Sequence, residues 1–165
     1  MANNLKKEDF ITLYEPIHDQ FYRYCRTLTG NIHQTEDLIN NTLLIAFEQF
    51  DQIINPEAFK YYLFRIASNQ LKMEKRRSKF HAEFSKDEHA FLIDKSQDPE
   101  ISTDYQILLQ KMNELPDKTR EALALFYISD LSLLDIQKIQ GGTLSAIKQR
   151  IKRGREKLIK SLSSE

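Results

Sequence analysis

The chain has 165 residues, with 24 Lys and Arg against 24 Asp and Glu, four Gly, four Pro and no Trp. That length holds one ordinary domain or two small ones, and 41% hydrophobic residues are enough to bury a core. No apolar run approaches the roughly 20 residues of a membrane span, the N-terminus lacks a signal-peptide pattern, and a single cysteine excludes an intrachain disulfide, so a reducing, cytoplasmic compartment is expected.

Taken in chain order, the periodicity predicts helices almost throughout. The first runs over 7–28, with Phe10, Leu13, Ile17, Phe21, Tyr24 and Leu28 inward, a kink expected at Pro16 and a stop at Gly30. Cys25 falls on its apolar face and reads as a buried thiol. A second helix follows Asn31 and carries TEDLINNTLLIAFEQF over 35–50, with a polar edge of Glu36, Asp37, Asn40 and Asn41 and with Ile39, Leu43 and Phe47 inward. A third begins at Asn55 as N-cap with Pro56 at the first helical position, where its missing N–H costs nothing. Its inward stripe is Phe59, Tyr62, Leu63 and Ile66, and its end, KMEKRRSK, is basic.

From Phe80 to about Asp104 the helical period lapses and acids, Ser and Pro99 take over, which reads as an acidic linker. Phe84, Phe91, Leu92 and Ile93 make it unusually apolar for one. Helical pattern resumes in YQILLQKMNELP and DKTREALALFYISD. Then Ser132, with Asp135 three residues on, starts a short helix that ends at Gly141-Gly142, and Thr143 caps the last one. Short helix, glycine turn, longer basic helix is the shape of a helix-turn-helix. In that last helix Leu144, Ile147, Ile151, Gly154 and Leu158 share one face, while Lys148, Arg150, Lys152, Arg153, Arg155, Lys157 and Lys160 take most of the rest. The fold class is therefore all-α, two small helical domains joined by an acidic linker, with a first domain over 1–79, the linker over 80–104 and the helix-turn-helix domain over 105–165.

Little here supports catalysis. The histidines His18, His33, His81 and His89 are scattered, no phosphate-cradling glycine loop or nucleophile elbow occurs, and no cofactor or metal is implied. The neutral charge balance hides two cationic runs, over 72–79 and 148–160. In the first, cations for phosphate lie near Tyr61, Tyr62 and Asn69, groups that stack on or hydrogen-bond exposed bases. Two nucleic-acid-like surfaces point to binding.

These residues resemble a known family, the extracytoplasmic-function sigma factors, over nearly the whole chain. TEDLINNTLLIAF is similar to the family's A-E-D-L-V-Q-E-T-F-x-x-A-W segment, and FKYYLFRIASNQLKMEKRR to F-x-x-W-L-y-x-I-A-x-N followed by bases. The stretch 113–158 is similar, without a gap, to the family's second domain, in which L-P-x-x-x-R, L-S-x-x-E-I-A and T-V-K-S-R-x-x-R-A-R-x-K-L recur. The resemblance implies a region 2-like domain over 1–79 and a region 4-like domain over 105–165. It implies that Asp37, with Glu36, Asn40 and Asn41, grips the clamp helices of the largest polymerase subunit. It also implies that Tyr61, Tyr62 and Asn69 capture flipped bases of the minus-ten element while Lys72, Arg76 and Arg77 hold the backbone. Thr143, Lys148, Gln149, Lys152 and Arg153 would then face the major groove of the minus-thirty-five element. The implied partners are core RNA polymerase and promoter DNA, with an anti-sigma factor as a further candidate and no membrane insertion.

The sequence departs from the family pattern at Asn41, where an acid is usual, at Phe47 and Tyr62, which replace tryptophans, at Leu133-Leu134, which replace a polar pair, at Gln137, where a small residue packs, and in the turn Gln140-Gly141-Gly142. Three other readings stand beside the sigma factor: a helix-turn-helix regulator, a sigma-like interaction protein that does not itself direct polymerase, and a helical hydrolase or transferase using the His81 to His89 cluster.

Overall fold

Pro16 sets the first break in the fold. Lacking an N–H, it cannot continue an α-helix from within, so helix α1 (Ala2–Tyr14) gives way to a 3-10 turn at Glu15–Ile17 before α2 (His18–Leu28). The expected single helix with a kink is thus two helices. The computed structural model describes residues 2–53, 55–84 and 102–164 and contains no strand among them.

The chain divides into two units, Met1–Asp94 and Lys95–Glu165. In the first, α3 (Ile32–Glu48) starts where Asn31 Oδ1 accepts from the Gln34 N–H at 2.8 Å, while Gln34 Oε1 accepts from the Gly30 N–H at 2.8 Å. This reciprocal pair closes one donor that a helix start leaves open, the Gln34 N–H, and the Gly30 N–H just before the cap. A second 3-10 turn spans Phe50–Gln52, and a third, Pro56–Ala58, is capped by Asn55 and leads into α4 (Phe59–Phe84). Helix α4 runs 26 residues, about 39 Å at 1.5 Å per residue, and passes Phe80, where the sequence reading had the helical period lapse. Most of the expected linker, with Phe91, Leu92 and Ile93, lies outside the described residues.

Aromatic rings hold this unit together. Phe10 meets Phe47, Phe50 and Phe59 edge-on with centroids 5.5, 5.5 and 5.4 Å away, and Phe64 meets Phe21 at 5.3 Å and Tyr24 at 4.9 Å. Such edge-to-face pairs add about 0.5–1.5 kcal/mol each beyond the area they bury. Phe64 is fully buried, whereas Tyr62, expected inward, is 38% exposed. The core-facing arc of α4 includes Phe59, Leu63, Phe64, Ile66 and Ala67, which places Tyr62 beyond its edge. Cys25 lies at 0% exposure beside this core, and burial drives its thiol pKa strongly upward.

In the second unit, Ser102 Oγ accepts from the Tyr105 N–H and opens α5 (Thr103–Asn113). Helix α6 (Asp117–Leu123) passes directly into a π-helical turn at Ala124–Ile128, and the Ser129 N–H returns to the Ala124 carbonyl at 3.0 Å. Ser132 Oγ then accepts from the Asp135 N–H at 3.1 Å to start α7 (Leu133–Gln140), and Thr143 Oγ1 accepts from the Ala146 N–H at 3.1 Å to start α8 (Leu144–Ser163). Between them Gly141 and Gly142 stand at φ +77° and +80°, backbone that side chains disfavour, and Gln137 Nε2 donates to the Gly142 carbonyl at 3.0 Å across the turn. Gln137, which stands where the family packs a small residue, thus bonds to the turn that follows its helix.

Candidate nucleic-acid and partner interfaces

The turn fixes the entry of α8, and α8 fixes which side chains face outward. Ile147, Ile151 and Gly154 are buried, with Leu144 and Leu158 half-buried beside them. Gln149 is two residues from Ile147, about 200° around the helix, and so points directly away from the core. Arg153, one turn later, and Ala146 share a shallow recess of ≈ 450 Å³ with Gln149, Arg150 and Thr119. On the other flank Lys148, Lys152 and Arg155 border a groove of ≈ 490 Å³ with Phe126, Tyr127, Leu133, Ile151, Glu156 and Ile159. The five residues singled out on this helix, Thr143, Lys148, Gln149, Lys152 and Arg153, are all exposed, although the Thr143 hydroxyl is engaged in its cap. Ser145, exposed one turn before Gln149, belongs to the same outward face and was missed. Its spacing of four residues from Gln149 was the available signal.

Arg150 departs from the cationic surface expected of it. Its Nη1 donates to Gln140 Oε1 at 2.6 Å, and Gln140 Nε2 donates to Glu121 Oε1 and to the Lys118 carbonyl, each at 3.0 Å. One amide therefore ties α6, α7 and α8 together at the glycine turn. Arg150 is held there rather than offered to a ligand.

In the first unit, Asn69 and Arg76 follow Tyr62 at seven-residue steps, which stacks them along one line of α4, and all three are exposed. Tyr61 is half-exposed, its ring 5.4 Å from that of Tyr62, and Lys72 is exposed on the same flank of the helix as Tyr61. Arg77, also exposed, turns toward the opposite flank. Met73 (46%) and Phe80 (58%) extend the Tyr62 line and were missed, although their seven-residue spacing repeats it. On α3, Glu36, Asp37, Asn40 and Asn41 are all exposed, while Leu38, Ile39, Thr42 and Ala46 are buried on the other side.

Among the described residues, no three His, Cys, Asp or Glu side chains come together as metal ligands. His89, at the far end of the stretch named for a hydrolase or transferase, lies outside them. No helix among the described residues is long and apolar enough to cross a membrane.

A helix-turn-helix with an amide and cations on its outward face, and a separate helical unit with an aromatic and cationic strip, define an all-α DNA-binding protein of transcription. Comparison with known proteins narrows this class. The family model of Sigma-70 region 2 matches residues 13–81, and that of Sigma-70 region 4 matches residues 105–158. ECF RNA polymerase sigma factor SigW of Bacillus subtilis (strain 168) is 30% identical over 93% of this chain and 87% of its own. ECF RNA polymerase sigma factor SigM of the same organism is 27% identical over 88% of this chain and 90% of its own. Among solved structures, the sigma factor RpoE in complex with the anti-sigma factor NepR from Bartonella quintana superposes with a TM-score of 0.82 at 26% identity, over 94% of this chain and 98% of that one. The chain belongs to the ECF RNA polymerase sigma factors. Its function is to direct RNA polymerase to promoters for transcription initiation.

Proposed function

We propose a division of that function among named side chains. The α3 edge of Glu36, Asp37, Asn40 and Asn41 docks on the clamp helices of core RNA polymerase. On α4, Tyr61, Tyr62 and Asn69 take unstacked bases of the minus-ten element, and Lys72, Arg76 and Arg77 hold the phosphates around them. On α8, Lys148, Gln149, Lys152 and Arg153 enter the major groove of the minus-thirty-five element, with Thr143 at its edge. Residues 1–79 then act as the region 2-like domain, 80–104 as linker and 105–165 as the region 4-like domain, with the last helix of the first extended to Phe84.

The single observation that carries this reading is the line Tyr62, Asn69, Arg76 on the outward face of α4. A tyrosine serving only as core would lie inward with Phe64 and Leu63. The chain works by assembly in the cytoplasm, with no covalent step, and an anti-sigma factor is its natural antagonist, as NepR is the bound partner of RpoE. Promoter-directed transcription with purified core polymerase tests the division. Tyr62→Ala and Asn69→Ala should abolish open-complex formation while leaving core binding intact, and Asp37→Arg should weaken core binding while leaving helicity intact. Full activity in all three would overturn it.

A further inference from the structure

Leu44 stands on the wrong side of α3 for a core residue. It is 59% exposed, while Leu38, Ile39 and Ala46 of the same helix are buried. Asp37, Asn41, Leu44 and Glu48 follow at steps of four, three and four, the spacing of neighbours along one helix face. Leu44 therefore sits within the same outward strip, with amides and carboxylates around it. Helix α3 holds three acids, Glu36, Asp37 and Glu48, and neither Lys nor Arg.

An exposed leucine ringed by acids and amides has the anatomy of an interface anchor, in which an apolar side chain enters a pocket and the polar rim excludes water. The rim here has one sign of charge. We infer that Leu44 inserts into an apolar socket on core polymerase whose edge carries Arg and Lys, and that burial of this leucine, rather than the acids, holds the complex at high salt. The inference rests on the reading of α3 as the polymerase face and adds to it the chemistry of the partner's surface. Acids facing cations across solvent are screened over about 10 Å at 0.1 M salt and over shorter distances as salt rises, whereas apolar burial is not.

The test is the affinity of labelled full-length chain for core polymerase at about 0.1 M and about 0.5 M salt. Leu44→Gln keeps a good helix former at an exposed site, so helicity and melting should match the parent. Its affinity should fall at least about tenfold at both salts, one missing apolar side chain being equivalent to roughly that factor. Leu44→Met should restore most of the loss. The defect of Asp37→Arg, in contrast, should shrink at high salt. If Leu44→Gln binds like the parent while Asp37→Arg is impaired, docking is by charge alone and the inference falls while the α3 reading stands. If neither substitution weakens binding, both fall. If Leu44→Gln instead dissolves a dimer of the free chain without changing polymerase affinity, Leu44 serves self-association and the inference is overturned.

Discussion

Gly154 of α8 lies so close to Thr119 of α6 that a Cβ on the glycine would stand 2.5 Å from Thr119 Cγ2 and 3.1 Å from Leu123 Cδ1. The glycine is there for contact, not for a turn. Its absent side chain lets the helix that carries the outward cationic face seat directly on α6.

Gly154→Ala should accordingly destabilise the second unit. Overpacking costs about 1–3 kcal/mol and the better helix propensity of alanine returns about 1, so a net loss of up to about 2 kcal/mol is expected. Urea denaturation followed by helicity reads it. Thr119→Ser removes the opposing methyl, and the double variant should recover most of the loss. Additive losses in the double-mutant cycle would show that the two residues do not meet as described.

Gln140→Leu should cost about 1–3 kcal/mol, because it strips a buried Glu121 oxygen and the Arg150 guanidinium of their shared partner. Binding to core polymerase through the first unit should be unchanged. A variant as stable as the parent would mean that water replaces the amide without penalty.

On DNA, Gln149→Ala should lose about 1–3 kcal/mol at the cognate upstream element and relax the base preference there, since glutamine pairs with adenine N6 and N7. Lys157→Ala, near the end of α8, should weaken all sequences alike and make the salt dependence shallower by up to about one unit. Transcription by holoenzyme on promoter variants separates the two effects. Identical profiles would leave α8 only basic.

Alkaline pH should unfold the first unit early. Burial raises the Cys25 thiol far above its ordinary 9.0, and burial, followed by the neighbouring Cys25, raises the Tyr14 phenol from 10.0 to about 12. In both cases the folded chain holds a proton that the unfolded chain releases, so this stability is complete below about pH 8 and declines as pH climbs toward 12. Urea midpoints at increasing pH should fall, and the fall should be shallower in Cys25→Ala. The same burial predicts that iodoacetamide modifies Cys25 only after denaturation. Rapid alkylation of the native chain would place the thiol at the surface.

The features legible in the sequence are local ones. Asn31, Asn55, Ser132 and Thr143 act on N–H groups two or three residues away, so composition and spacing suffice to place them. Ile147, Ile151 and Gly154 were legible as a face because the period of α8 is regular. What escaped the sequence depends on distant partners. Phe64 rather than Tyr62 goes inward because Phe21 and Tyr24 of another helix wait there. Arg150 turns inward because Gln140, ten residues away, accepts from it. The π turn at Ala124–Ile128 carries no turn-forming residue within it. On the candidate interfaces, the outward faces of α3 and α8 could be read from period alone, whereas Leu44, Met73 and Phe80 resemble core residues in sequence and are told apart only by their exposure.

The separation of charge, with α3 free of cations and α8 carrying a single acid, has a consequence for how the free chain moves through a cell crowded with nucleic acid. With no net charge and an isoelectric point near 6.9, the chain has almost no monopole attraction to DNA beyond a Debye length of about 8 Å. Its cations act only once they are already beside a phosphate. The pull of bulk DNA on the chain is therefore short-ranged, set by local cations rather than by total charge.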